Sequence, residues 1–465
     1  MIRRLAAILS LLLAASPALA AQVTHVATAA TDEWPVEIDL TPGFSYVSEN
    51  ATISREEFKS SGGLVVGNEM AYNRTTMTMP LRGAIGIWHH LELHFNIPII
   101  IDDKQTWGFA TGSGANETNV TVDKTPGLCP EGIPNGAGLC ANLQPPTALA
   151  SAPLVGANGQ PLTSDRGGFV LGNVSIGIAW TPFNEEDDDT DPTWLVGFDY
   201  TAPTAALWDP SVVSYGPGAP GSQISGVGDK FHHFQPYTAL SKRYGVLDPY
   251  IEVYADLPRA SGGVYDNCDN PYGGAGEGPG NAGGEERLNC FQSGTYTTSD
   301  GASASYNWDA WNTQATPVYV GGFWFGSEFV AYENPKEEQK VAFDLRFITE
   351  YHSEAETYTE MTDLVRALTY QQDFARLGGQ VGLYLRPTKY FMLLLNGSLE
   401  HDTDHWLTME NLGNAPVGSN GAEPVPVGSQ LQNPNFDFRY DNPGDRFMLQ
   451  NSLIWSFTGT LMVTF

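Results

Sequence analysis

Leu453-Ile454-Trp455-Ser456-Phe457-Thr458-Gly459-Thr460-Leu461-Met462-Val463-Thr464-Phe465 closes the chain. Leu453, Trp455, Phe457, Gly459, Leu461, Val463 and Phe465 share one face of this stretch, and Ser452, Ser456, Thr458, Thr460 and Thr464 share the other. That is period-two alternation, the pattern of a β-strand with one apolar and one polar side. Such a strand lays its apolar side against a shared protein core or against lipid. A sheet crosses lipid only when it is closed, because every backbone N–H and C=O must then find its partner within the sheet.

The same alternation recurs upstream. Leu91, Leu93, Phe95, Ile97, Ile99 and Ile101 interleave with His90, Glu92, His94 and Asn96, and Val341, Phe343, Leu345 and Phe347 interleave with Ala342, Asp344, Arg346 and Ile348. Strands are predicted near 35–48, 70–88, 90–102, 168–182, 193–204, 230–243, 247–258, 315–332, 339–352, 376–387, 390–401 and 446–465, about twelve in all. Short connections, at His89-His90, Tyr244-Gly245 and Pro387-Thr388, alternate with long Gly-rich ones, which is the hairpin order of an outer-membrane barrel. An even strand count puts both termini and all the short turns on the periplasmic side. The predicted fold class is therefore all-β: a transmembrane outer-membrane antiparallel β-barrel over 35–465, with long extracellular loops and short periplasmic turns. A periplasmic β-sandwich is the alternative, but the polar faces carry clustered acids, Tyr and Arg, as a wet lumen would. The C-terminal aromatic Phe465 resembles the signal read by the bacterial outer-membrane assembly machinery, which makes that machinery and outer-membrane lipid the expected partners.

The chain's beginning agrees with export. Met1-Ile2-Arg3-Arg4 is basic, Leu5 to Ser16 is apolar, and Ala18-Leu19-Ala20 offers a small-residue cleavage site. A cleaved signal peptide over 1–20 and a short periplasmic segment over 21–34 are expected, with the bacterial outer membrane as destination. Asp plus Glu number 53 against 23 Lys plus Arg, a net charge of −30 that repels nucleic acid. With 20 Tyr, 22 Phe and 11 Trp the chain is too aromatic for a disordered acidic tail, so the acidity sits on a folded scaffold.

Two long loops each hold two cysteines, Cys129 with Cys140 and Cys268 with Cys290, and pairing within each loop is the simplest of the three arrangements. CxxC spacing is absent, so structural disulfides are expected rather than a metal. No cofactor is expected, with Ca²⁺ near Asp266, Asp269, Glu277, Glu285 and Glu286 kept as a minor alternative for the second loop. His89-His90 and His232-His233 present one side chain of each pair inward and read as interfacial histidines rather than metal ligands. A serine in a GxSxG setting is absent, so no catalytic residue is assigned and a barrel enzyme such as a phospholipase stays a minority alternative.

The inward faces supply the candidate pore lining: Arg82, Glu92, Asp199, Asp248, Tyr250, Glu252, Tyr254, Asp256, Glu328, Asp344, Arg346 and Arg386. Glu37, Asp39, Glu350 and Glu400 belong to the same inward set. Unpaired charges are costly to bury, so these groups must meet water or one another. Either they line a narrow acidic pore that favours cations or neutral solutes, or they pair across a filled lumen in a non-conducting barrel that acts through its outer loops.

Met79-Pro80-Leu81-Arg82-Gly83-Ala84-Ile85-Gly86-Ile87-Trp88, followed by Leu91-Glu92-Leu93 and Asn96-Ile97-Pro98, resembles the hairpin of the MetA-pathway of phenol degradation family of outer-membrane transporter barrels. Leu171-Gly172-Asn173-Val174-Ser175-Ile176-Gly177-Ile178, Phe198-Asp199-Tyr200-Thr201-Ala202-Pro203-Thr204 and Thr238 to Gly245 are similar to its next strands. The resemblance implies a barrel that moves aromatic or other small apolar compounds. The related long-chain fatty acid transporter barrels carry an N-terminal plug, for which residues 21–34 are expected to be too few.

Overall fold

The computed structural model describes residues 21–29, 35–58, 63–110, 162–185, 187–188, 190–210, 226–269, 289–334, 336–365, 367–437 and 440–465. Twelve long strands form one antiparallel ladder: β1 (Ile38–Phe58), β2 (Leu64–Trp88), β3 (Leu91–Phe109), β4 (Val174–Phe183), β5 (Thr193–Ala202), β6 (Phe231–Ser241), β7 (Leu247–Asp256), β8 (Val320–Asn334), β9 (Gln339–His352), β10 (Phe374–Thr388), β11 (Phe391–Asp402) and β12 (Phe447–Thr464). Each pairs with its sequence neighbour, and β1 pairs with β12 from Asp39↔Thr464 to Arg55↔Phe447, so the sheet closes into a barrel.

The apolar faces point outward. Ile178, Phe198, Ile251, Phe325, Phe343 and Phe457, one from each of six strands, are exposed, while their neighbours in sequence turn into the barrel. A continuous exposed apolar girdle of this kind belongs against lipid rather than water. Trp88, Tyr244, Tyr390 and Phe465 are exposed at the short-turn end, where amphipathic or bulky rings suit the membrane–water boundary. Gly245 takes φ +68° and His90 φ +49° in two of these tight turns.

Two bulges re-aim side chains. Met77 pairs with Asp102 and Thr78 with Ile100, so Ile101 is an extra residue on β3, beyond which the odd residues Asp103, Gln105 and Trp107 point inward and are buried. Asn451, at φ +52°, does the same on β12: Leu449 is buried below it, whereas Leu453 and Trp455 above it face out. The first hairpin also departs from expectation. The residues between 48 and 70, expected as a long loop, continue the β1–β2 ladder to Phe58↔Leu64, so this hairpin rises beyond the membrane.

Residues 21–29 correct the expectation of a short lead outside the barrel. They run inside it at the short-turn end, with Ala21, Thr24, Val26, Ala27 and Ala29 buried. Val26 packs against the inward-facing Ala179, Leu195 and Ala239. Nine residues suffice because the wall supplies their hydrogen-bond partners. Ala27 N donates to Glu92 Oε2 at 2.7 Å, Thr28 N to Glu37 Oε2 at 2.9 Å, Ala29 N to the Trp88 carbonyl at 3.1 Å, and Gln22 N to Glu328.

The outer end is filled differently. The β9–β10 connection folds into the mouth, and its Met361, Leu364, Val365 and Ala367 join Ile53, Met70, Trp107, Leu407 and Leu449 of the wall and its extensions in a dry cluster. Above it, short strands at Ser293–Thr297, Ser303–Asn307, Val417–Gly418 and Gly421–Ala422 form a small outer sheet. Cys268 and Cys290 are disulfide-bonded, 5.8 Å apart at Cα, whereas Cys129 and Cys140 lie outside the described residues. Asp266, weighed above for Ca²⁺, accepts hydrogen bonds from Cys268 N at 2.8 Å and Thr313 Oγ1 at 3.0 Å, so loop donors occupy its oxygens.

Candidate functional site: the inner wall of the barrel

All twelve candidate pore residues stand on the inner face, and most are hydrogen-bonded or ion-paired to other side chains. On β3, His94 bridges Glu92 (Nδ1 to Oε1, 2.9 Å) and Asp199 of β5 (Nε2 to Oδ1, 2.7 Å). On β6, His233 bridges Asp256 at 2.8 Å and Asp229 at 3.2 Å. Both ring nitrogens of each histidine are thus engaged by carboxylates. His90 and His232, weighed as metal ligands, are instead hydrogen-bonded to Asp187 at 3.0 Å and to the Tyr200 hydroxyl at 2.7 Å.

A second group spans β7 to β10. The Tyr250 hydroxyl donates to Asp344 Oδ1 at 2.6 Å and accepts from Arg346 Nε at 2.9 Å, and Tyr384 donates to Asp344 Oδ2 at 3.2 Å. Arg346 also lies over the Trp324 ring, 5.0 Å from its centroid. Tyr254 donates to Glu350, Lys340 pairs with Glu328 at 3.0 Å, and Arg386 donates to Glu338 at 3.1 Å. Asp248 is fully buried with neither carboxylate oxygen hydrogen-bonded. Arg82 and Glu252 differ from these: neither forms an ion pair among the described residues, both face the lumen, and each interacts electrostatically with Asp199, Glu252 more strongly with Arg346.

Inward glycines hold the tyrosines flat on the wall. A Cβ on Gly197 would stand 2.1 Å from Tyr237 Cζ, and one on Gly322 would stand 2.6 Å from Tyr254 Cζ. Each ring therefore lies across a neighbouring strand's glycine. Gly197→Ala is expected to push Tyr237 into the lumen, lowering conductance roughly twofold and destabilising the barrel by about 1–3 kcal/mol. Paired single-channel recordings and thermal melts of the variant check this, and an unchanged conductance would show that the Tyr237 ring does not border the path.

Toward the outer end a cavity of about 270 Å³ is lined by Asn173, Trp208, Asp229, Phe231, His233 and Tyr358 among others. Trp208 and Tyr358 stack there with centroids 4.5 Å apart, giving the cavity an aromatic side opposite its carboxylate and imidazole. Beside it lies a buried charge cluster that sequence reasoning did not find. Arg166 donates to Asp103 at 3.0 Å and to Asp363 of the infolded loop, and its guanidinium lies 3.6 Å above the Trp208 ring. Asp363 also accepts from Ser164 at 2.6 Å and Trp208 Nε1 at 2.7 Å. Asp103 is inward only because of the bulge at Ile101, and no local pattern announces that.

The infolded loop carries a titrating group, Glu360. Burial pushes its carboxyl up to about 7, Asp402 adds to that, and Arg74 and Arg376 oppose it. One of its oxygens is buried without a hydrogen-bond partner, as suits the neutral acid. Because the docked form holds the proton more tightly than the free loop, its contribution is complete at acidic pH and is lost as pH rises through about 7. Docking is expected to weaken by on the order of a few kcal/mol across that range, read as lower amide-exchange protection factors, relative to the free-peptide rate at each pH, for residues 361–369 at alkaline pH. Glu360→Gln is expected to abolish the dependence.

No protein-family model and no curated protein matches the chain. Among solved structures, the COG4313 outer membrane channel from Pseudomonas putida F1 aligns at 10% identity over 92% of this chain and 95% of that chain, with a TM-score of 0.37. A Pseudomonas aeruginosa FadL homologue aligns at 9% identity over 92% and 90%, with a TM-score of 0.32. The Ralstonia pickettii toluene transporter TbuX aligns at 9% identity over 92% and 89%, with a TM-score of 0.27. This chain's own closed ladder and lipid-facing girdle define its class: it is an outer-membrane β-barrel.

Proposed function

We propose that the barrel passes small molecules across the outer membrane without an energy source, admitting them at the aromatic outer cavity and guiding them along the inner face of β4 to β8. The observation that carries this is the state of that wall. Its tyrosines are folded flat over glycines, while Glu252, and Arg82 on β2, face the lumen with no ion pair among the described residues. The Trp208–Tyr358 stack beside Asp229 and His233 suits a small aromatic or polar neutral solute, and the acid excess of the wall disfavours anions.

A second reading is a non-conducting barrel that binds partners through its outer loops. It draws on the filled mouth and on the small outer sheet, near which Trp311 is 76% exposed. Planar-bilayer recording of the refolded protein under a salt gradient separates the two. The channel reading expects discrete steps with cation preference, reduced roughly twofold by Glu252→Gln, since that residue's charge is not offset by a direct partner. A correctly folded barrel that never conducts, even with the infolded loop released, would leave the surface-binding reading.

A further inference from the structure

We infer that His25, Glu37 and Asp39 form a binding site for a divalent transition-metal ion, and that the bound ion fastens the N-terminal segment to the seam where the barrel closes. One potential ligand atom from each residue lies within 4.8 Å of the other two. Glu37 and Asp39 point inward at the start of β1 and are only 5% and 4% exposed. Each has one oxygen engaged: Glu37 Oε2 accepts from Thr28 N at 2.9 Å, and Asp39 Oδ1 accepts from Thr464 Oγ1 of β12 at 2.5 Å. The second oxygen of each is left for another partner. The His25 imidazole comes from the luminal segment, and its Nε2 stands 4.0 Å from Asp39 Oδ2, too far for a hydrogen bond. Arg386 acts electrostatically on Glu37, but its hydrogen bonds go to Glu338 at 3.1 Å and the Lys389 carbonyl at 3.3 Å.

Two nearly buried carboxylates this close repel each other unless one holds a proton or a cation stands between them. One imidazole with two carboxylates suits Zn²⁺ and neighbouring first-row ions rather than Ca²⁺, which takes oxygen ligands. Bonds of about 2.0–2.2 Å need the three ligand atoms roughly 1 Å closer together, a side-chain adjustment only. The consequence follows from connectivity. His25 belongs to the segment inside the lumen, while Asp39 is bonded across the β1–β12 seam, so an ion joining them ties the segment to the wall.

This goes beyond the channel reading and is tested without it. Full-length protein, refolded in detergent and treated with a chelator, is titrated with ZnCl₂ by calorimetry, and X-ray absorption is recorded on the loaded sample. The expected result is one site per chain with an imidazole in the first shell, weakened about 100-fold in His25→Ala and in Glu37→Gln. Amide exchange of residues 23–29 is expected to slow about tenfold on adding Zn²⁺ to the wild type and not at all in His25→Ala. Equal affinity in wild type and His25→Ala, or a first shell with no imidazole, would place the ion on the acidic loops and overturn the site. Binding through His25 with no change in exchange would overturn the fastening. A barrel that takes up Zn²⁺ here yet never conducts sinks the channel reading and leaves the metal site standing.

Discussion

Deletion of residues 22–29 is expected to raise single-channel conductance on the order of tenfold while leaving the barrel folded. These residues occupy the short-turn end of the lumen, where the wall is closely fitted to them. A Cβ on Gly86 would come within 2.1 Å of the Thr28 carbonyl oxygen, so β2 has a glycine where the segment passes. The segment's backbone N–H groups donate to Glu92, Glu37, Glu328 and the Trp88 carbonyl. Those acceptors are exposed to water once the segment is gone, so each lost hydrogen bond costs only about 1 kcal/mol. The twelve-strand ladder, including its β1–β12 closure, contains none of the deleted residues. Planar-bilayer recording beside a thermal melt measures both effects. An unchanged conductance with an intact melt would place the narrowest point at the infolded loop of the outer mouth instead.

Arg166→Met is expected to release that loop. Arg166 is 1% exposed and bonds Asp103 on the wall and Asp363 on the loop, so it joins the two bodies. Asp103 keeps Arg74 at 2.9 Å, but the fully buried Asp363 would lose its guanidinium partner while the donors Ser164 and Trp208, both neutral, remain. Removing one partner of a buried pair costs about 3–5 kcal/mol, comparable to everything that a single loop gains by docking. Expected are rapid proteolysis within residues 361–369 and a raised conductance, with the barrel's melting temperature little changed. Arg166→Lys should rescue poorly, because one ammonium cannot reproduce a guanidinium that serves two carboxylates and lies flat on the Trp208 ring. A variant as protease-resistant as the wild type would show that the dry cluster around Trp107 and Leu407 holds the loop unaided.

The strands were legible because alternation is a local property. Leu247 through Leu257 alternates without interruption, and there the structure places every second residue outward as expected. Legibility ended where one extra residue entered a strand. The bulge at Ile101 turned Asp103 and Trp107 inward, and the positive φ at Asn451 reversed the face of β12, neither marked by composition. In the same way, Glu92, Asp199 and Arg346 could be placed on the inner face, but that His94 ties up the first two and Tyr250 the third could not. Arg166 was missed altogether because it lies in a connection rather than in a strand.

By itself the sequence determined a closed, lipid-facing barrel of twelve strands, since period-two patterning and the lengths of connections are properties of neighbouring residues. Only the tertiary structure decided what fills that barrel. Gln22 meets Glu328 across 306 positions and Arg166 meets Asp363 across 197, and such partners are chosen by the packing of a finished wall, long after local pattern has stopped carrying information.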